Sequence, residues 1–231
     1  MTTAEIKYAD FDRADAGAAL ERLKAGNANY ASNKANSANT TDTARIPLAD
    51  GQSPYAVIVS CSDSRVAPEY IFDAGLGEVF VIRTAGNVVA DFELGSVEYA
   101  LEHLHTPLVV VMGHSGCGAV AAAVSDKPAE GYIAFIVDEI KPAVNQNDSA
   151  AEDFVSKSED SNIEQSVLKI ESNLSELLEH TGARVVGAKY DTAKGAVAFW
   201  DSEDTTATVT KIANIFLFIC KLPYIPLVYY Y

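Results

Sequence analysis

Four short runs constrain this chain more than any other feature: "YAVIVSC" (55–61), "VFVIRTA" (79–85), "PLVVVMGH" (107–114) and "RVVGAKY" (184–190). The first three are apolar runs rich in Val or Ile rather than alternating, the pattern of a strand buried on both faces, and the fourth reads as a last strand. Helical text separates them. Through "GSVEYALEHL" (95–104) and the residue before it, Leu94, Val97, Leu101 and Leu104 recur at helical spacing and Pro107 marks the end. "GAVAAAV" (118–124) reads as a small-residue helix packed closely on something, and "SVLKIESNLSELLEH" (166–180) as a helix closed by Gly182. An acidic, Ser-rich segment precedes that last helix, and "GAVAFW" (195–200) suggests a hairpin-like return after the last run. Buried strands alternating with helices imply an α/β fold with a mostly parallel central sheet flanked by helices on both faces. In such sheets ligands collect beyond the carboxyl ends of the strands.

The outer segments are different. "DAGAALERLKAGNANYA" (15–31) is an amphipathic helix with Leu20 and Leu23 on one side, and the polar "SNKANSANTTDTA" (32–44) reads as a loose connection. The end, "IANIFLFICKLPYIPLVYYY" (212–231), is strongly apolar. Lys221, Pro223 and Pro226 interrupt it, which argues against a spanning helix and disfavours a membrane as partner, leaving cover for a partner subunit, a dip into a membrane surface or an altered reading frame as readings of it. Packing on an oligomeric partner is its expected use.

Composition narrows the function. The chain carries 17 basic against 32 acidic residues, a formal net charge of −15, and no basic stripe breaks the pattern. Such a surface repels phosphate backbones, so nucleic acid is excluded as a partner. Three cysteines, with no apolar signal region in "MTTAEIKYADFDRADAG", argue against a disulfide framework. The expected setting is a reducing compartment, the cytoplasm or an organelle, with thiols kept for metal or catalysis. Without secretion the sequons at Asn39, Asn147 and Asn173 carry no weight.

Two clusters of reactive residues follow strands. "CSDSR" (61–65) ends one run, and "GHSGCGAV" (113–120) ends another. Cys61, His114 and Cys117 supply two thiolates and an imidazole, a ligand set suited to zinc. Gly116 and Gly118 let the backbone approach closely, and a cap at Ser115 or its neighbour would let the dipole of the 118–124 helix favour the Cys117 thiolate. Three protein ligands with an open fourth position is the catalytic pattern, and Cys220 lies away in the apolar end. Asp63 can reach that fourth position, or be held off it by the guanidinium fork of Arg65. Singly, a buried Cys at a strand end packs as a small apolar residue, and an Asp-x-Arg pair is a solvated turn. Two such clusters at matching strand ends point to one metal centre.

"CSDSR", "RTAGN" (83–87) and "GHSGCGAV" resemble the signatures of the β-class carbonic anhydrases, and the similarity runs from about residue 15 to about residue 200. The resemblance implies the β-carbonic anhydrase fold and a zinc enzyme that hydrates carbon dioxide reversibly to bicarbonate and a proton through zinc-bound hydroxide. It implies a homodimer or higher homo-oligomer, with N-terminal helices reaching over the partner. Zinc ligands fall on Cys61, His114 and Cys117, and the catalytic dyad on Asp63 and Arg65. Gln52 matches a glutamine placed against substrate oxygens, Phe80 and Tyr99 match aromatics of the carbon dioxide pocket, and Gly118 matches a glycine whose backbone faces the site. In the family these pocket residues come partly from the other subunit. Ala85 departs from the branched aliphatic residue often found there, and Ile58 stands where bicarbonate-regulated members carry tryptophan. With Gln52, that suggests the open subtype, in which Asp63 pairs with Arg65. The implied organisation is an N-terminal arm and connection (1–44), a zinc-binding catalytic domain (45–205) and an apolar tail (206–231).

Other uses of the same site are hydrolysis of carbonyl sulfide or carbon disulfide, and a non-catalytic zinc protein that senses bicarbonate. Thiolates donate more charge than imidazoles, so activity is expected to rise with pH. His103, His105 and His180 are expected at helix carboxyl ends rather than on metal. Tyr190 and Trp200 are expected in packing, and "GLGEVF" (75–80) as a turn before a strand.

Overall fold

The computed structural model describes residues 15–35, 41–125 and 127–200. The expectations for the apolar tail, for residues 1–14 and for the middle of the 32–44 connection lie outside them. The chain divides into two units, Met1–Phe199 and Trp200–Tyr231, and the first carries the fold discussed below.

In chain order the elements are α1 (Ala16–Ala31), α2 (Asp42–Arg45), β1 (Ala56–Cys61), α3 (Pro68–Ile71), β2 (Val79–Thr84), α4 (Asp91–Glu102), β3 (Leu108–His114), α5 (Gly118–Ala123), α6 (Ile133–Ile140), α7 (Phe154–Asn173), α8 (Ser175–Thr181), β4 (Arg184–Tyr190) and β5 (Val197–Trp200). One five-stranded sheet has the order β2-β1-β3-β4-β5. β1 is parallel to β2 and β3, and β3 is parallel to β4, so the expected mostly parallel α/β sheet is present. β5 returns beside β4 through a tight turn in which Asp191 N–H donates to Ala196 O at 2.8 Å, the hairpin-like return expected from the sequence. Among the described residues no helix is long and apolar enough to cross a membrane.

Every residue of β1 and β3 is buried, as continuous apolar runs in central strands demand. β2 is half-exposed despite an equally apolar run, because it is an edge strand with a neighbour on one side only. Alternate residues face opposite sides. Ile58, Val110, Met112, Val186 and Ala188 pack with Ala19, Leu20 and Leu23 of α1 and with Ile71 and Phe72. On the other face α7 lies directly against β3, where a Cβ at Gly113 would meet Ile163 Cδ1 at 2.5 Å. Each such fully buried aliphatic side chain contributes about 1.5–3 kcal/mol.

Several helices differ from the sequence expectation. α4 starts at Asp91, where the Glu93 side chain accepts the Ala90 N–H at 2.9 Å. Residues 42–45 of the loose connection form one helical turn. The acidic, Ser-rich stretch is helical from Phe154, and the helix over 166–180 breaks at Leu174 into α7 and α8. Apolar periodicity misses the first half of α7 because its buried face is polar: Ser158, Glu159, Asn162 and Ser166 recur at helical spacing and point inward. Gly182, at φ 69°, ends α8 as expected.

α1 can approach the core only because residue 26 lacks a side chain. A Cβ there would lie 1.9 Å from Phe72 O, a backbone atom with no rotamer to escape into. Gly26→Ala is expected to lever α1 off α3 and destabilise the protein by about 3 kcal/mol or more, lowering the melting temperature by about 6–12 °C. An unchanged melting temperature in a thermal scan would refute this packing.

Candidate metal centre

The parallel register brings the two clusters together. Ser60 of β1 pairs with Met112 of β3, so Cys61 and His114 emerge at the same carboxyl edge. Cys117 follows on the turn into α5. The ligand atoms of Cys61, His114 and Cys117 all lie within 4.8 Å of one another, and all three residues are buried. Among the described residues no other group of three metal-ligating side chains converges in this way.

The chemistry of the donor set fits a cation. His114 Nδ1 donates to Ser115 O at 3.1 Å, which leaves Nε2 as the lone-pair nitrogen. That Nε2 is buried and has no hydrogen-bond partner, an arrangement that costs free energy unless something electrophilic takes the lone pair. Cys61 Sγ accepts the N–H of Gly86 at 3.2 Å and of Asp63 at 3.4 Å. The hydrogen bond from Cys117 drives the Cys61 thiol down to about 4 against burial, with His114 and the two amides adding to it. The same bond, with burial, drives Cys117 up. A thiophilic cation between these two sulfurs would hold both as thiolates. Burial opposes the charged form of His114, but Cys61 and Asp63 outweigh it and its pKa rises.

Asp63 lies over this group, its Oδ2 3.9 Å from His114 Nε2. Arg65 holds it with a fork: Nε donates to Oδ1 at 2.9 Å and Nη2 to Oδ2 at 2.7 Å, while the Arg65 N–H donates to Oδ1 at 2.9 Å. That fork holds the Asp63 carboxyl well below the usual carboxylate range. Arg65 Nη2 also donates to Gly116 O at 3.1 Å, tying the dyad to the Cys117 turn.

The expected cap on α5 is different in detail. Cys117 itself occupies the cap position without a side-chain bond, and Ser115 Oγ instead pairs with Thr192 Oγ1 at 3.0 Å. Gly118 borders open space, with no atom within 4 Å of where a Cβ would stand. Ile58 is buried in the core on the α1 face.

Gln52, Phe80 and Tyr99 are not brought to this centre within one chain. Gln52 precedes the amino end of β1, whose five steps to Cys61 span about 16 Å. Phe80 pairs with Val57 near that same end. Its ring lies 6.3 Å from that of Tyr99, which is 46% exposed and also contacts His103 at 5.2 Å between centroids. Phe80, Tyr99 and His103 form an aromatic cluster of their own. His103 caps α4 and His180 lies in the last turn of α8, as expected. His105 and His180 line a cavity of about 560 Å³ beside Pro107 and Gly182, at the amino ends of β3 and β4, away from the metal centre. Tyr190 is buried, its hydroxyl 3.2 Å from that of Tyr30.

Several residues that build the site carry no individual role in the sequence reading, although Arg83, Gly86 and Asn87 lie in the "RTAGN" stretch. Arg83 donates to Cys61 O at 3.1 Å and to Asp63 O at 2.7 Å, bracing the loop after β1. Asn162 donates to Gly86 O at 2.8 Å and Ser166 to Asn87 O at 3.2 Å, fixing the turn whose Gly86 amide reaches Cys61. Gly86 stands at φ 71°, and a Cβ there would meet Ile140 Cδ1 at 2.8 Å and Ala119 Cβ at 2.9 Å. Glu159 accepts the Gly116 and Cys117 amides at 2.7 and 3.1 Å. The inward polar repeat of α7 is the signal that would have found the helical members of this set.

Residues 56–197 match the family described as carbonic anhydrase. The chain is 46% identical over 131 residues to carbonic anhydrase 2 of Mycobacterium tuberculosis, a match covering 55% of this chain and 63% of that protein's length. It is 35% identical over 187 residues to a carbonic anhydrase of Mycolicibacterium smegmatis, covering 78% of this chain and 91% of that one. Among solved structures, that of tetrameric β-carbonic anhydrases from Sordaria macrospora superposes with a TM-score of 0.62 at 28% identity, over 78% of this chain and 95% of that chain. With the family match spanning both strand ends that carry Cys61, His114 and Cys117, the chain belongs to the β-class carbonic anhydrases.

Proposed function

We propose that the protein hydrates carbon dioxide reversibly to bicarbonate and a proton, with zinc held by Cys61, His114 and Cys117. The observation that carries this reading is the buried, unpartnered His114 Nε2 among two thiols, beneath a carboxylate that Arg65 holds in place. Zinc in such a site supplies the Lewis acidity that makes a neighbouring water nucleophilic near neutral pH.

The chain's own groups do the rest. Asp63, unable to donate while ionised, accepts a hydrogen bond from that water and orients its lone pair toward carbon. It is also the first acceptor for the proton that must leave. The Arg65 fork occupies both Asp63 carboxylate oxygens, and with zinc bound it would hold Asp63 off the metal. Gly118 leaves room for the substrate beside Cys117. An apolar surface suits carbon dioxide, and Phe80 and Tyr99 offer one, with Gln52 as donor to a substrate oxygen. Since these three lie at the far end of β1 and β2, they serve the metal centre of a second copy, which makes a homodimer the smallest working unit. Thiols kept for metal favour the cytoplasm as the setting.

The test is stopped-flow hydration by protein of known zinc content from pH 6.5 to 9, with carbonyl sulfide as a parallel substrate. Fast hydration that climbs with pH is expected. A flat profile in zinc-loaded protein would overturn the zinc-water assignment. Sulfide release without hydration would assign the site to the hydrolase reaction instead.

A further inference from the structure

Beneath the turn that carries Cys117 lies an ion pair that the mechanism above does not use. Glu159 of α7 is 4% exposed, and its Oε1 accepts two consecutive backbone amides, Gly116 at 2.7 Å and Cys117 at 3.1 Å. Its Oε2 lies 3.0 Å from Lys189 Nζ on β4. Lys189 is fastened in turn: Nζ reaches Asp160 Oδ1 at 2.7 Å, Ser156 Oγ at 2.9 Å and Ser156 O at 3.0 Å. The next residue, Tyr190, accepts the Ser115 N–H on its carbonyl at 2.9 Å. The 115–117 turn is therefore clamped from α7 and from β4 at once.

A buried carboxylate is costly unless paired, and packing alone would be served as well by an apolar pair of similar shape. Two amide bonds to one oxygen do something packing cannot. One holds the 115–116 peptide and the other the 116–117 peptide, and together they set the Cα–Cβ direction of Cys117 and the place of its sulfur.

We propose that Lys189 and Glu159 form a positioning unit for Cys117: Lys189 holds the Glu159 carboxylate, and the carboxylate holds the peptide that aims the Cys117 sulfur at the metal. This rests on the reading of Cys61, His114 and Cys117 as a metal centre, not on which reaction the centre performs. Neither residue touches substrate.

The test compares wild type, Lys189→Met, Lys189→Arg, Glu159→Gln and the Lys189→Met/Glu159→Gln double variant. Two readouts are used: zinc release to an excess of chromophoric chelator, and the thiolate-to-cobalt absorption of the cobalt-loaded proteins. Lys189→Met and Glu159→Gln should each speed zinc release by about 10–100-fold and shift the cobalt band, since outer partners of metal ligands carry effects of that size. The double variant should be no worse than the worse single one, and Lys189→Arg should recover most of the loss. Wild-type release rates and cobalt spectra in both single variants would overturn the proposal. So would fully additive losses, which would mean two independent contacts. Wild-type protein that binds neither zinc nor cobalt would overturn the metal-centre reading itself, a result distinguishable from the first. Should Glu159→Gln fail to fold, the contrast of Lys189→Met with Lys189→Arg decides alone.

Discussion

Cys61→Ser is expected to strip the protein of zinc and of hydration activity while leaving the fold standing. Cys61 Sγ accepts two backbone amides, from Gly86 and Asp63, and a serine oxygen can accept from the same donors. The buried N–H groups therefore keep a partner, and the cost to stability should be about 1 kcal/mol or less. What the hydroxyl lacks is charge. The native thiol is driven down to about 4 by its hydrogen bond from Cys117, whereas a serine hydroxyl stays protonated at neutral pH and is a poor zinc ligand. Zinc content after dialysis against a mild chelator should fall from near one per chain to about a tenth or less, because affinity depends on ligands that are deprotonated at working pH. Hydration should fall by about a thousandfold or more, since lowering the pKa of water is the metal's main contribution. A thermal scan supplies an independent check. A ligand that binds only the folded state raises its stability by mass action, so chelator should lower the melting temperature of wild type and leave that of Cys61→Ser unchanged. Full zinc content and activity in the variant would remove Cys61 from the ligand set.

The parts of this molecule that the sequence spells out are those where one residue type answers one physical demand. β1 and β3 must be apolar along their whole length because helices cover both their faces, and their sequences say so directly. Their carboxyl ends had to be adjacent for the two reactive clusters to meet, and the parallel register does this. β2 shows the limit of the same rule, for an equally apolar run ended as a half-exposed edge strand. Nothing in a strand's own residues says which neighbours it will have. α7 shows another limit. Its inward face is Ser158, Glu159, Asn162 and Ser166, which apolar periodicity reads as surface. Those residues are inside because the turns around Gly86 and Gly116 offer unpaired backbone groups at the right height, a demand visible only once the turns are in place. Gln52, Phe80 and Tyr99 illustrate a third case. The family resemblance supplied their expected role, yet in one chain they sit a strand's length from Cys61. The role proposed for them is a statement about a pair of chains, of which a single chain can display only half.

Arg65→Met is expected to lower kcat/KM by about 10²–10³-fold with zinc content unchanged, the range found when a positioned proton acceptor or charge-holding donor is lost. In the native protein Asp63 Oδ2 stands 3.9 Å from His114 Nε2 and is kept there by Arg65 Nη2 at 2.7 Å. Without the fork only the backbone N–H of residue 65 still holds Oδ1, and Oδ2 is free to swing onto the metal as a fourth ligand. The position needed by water would then be occupied, and zinc would be held more tightly. Protonation does not explain the loss. Arg65 is the largest cause of the low Asp63 pKa, so its removal raises that pKa, but only toward the ordinary 3.8. Asp63 therefore stays ionised throughout pH 6.5–9, and the pH profile should keep its shape while falling in height. Arg65→Lys should rescue little, since an ammonium cannot bridge both carboxylate oxygens as the planar fork does. Asp63→Ala removes the swinging carboxylate, so adding Arg65→Met to it should cost almost nothing further if the arginine acts through Asp63. Zinc stoichiometry and kcat/KM measured on wild type and the four variants decide the matter. Arg65→Met activity within about threefold of wild type, a difference of under about 1 kcal/mol, would mean that Asp63 needs no guard and that its placement over the metal is set by the loop alone.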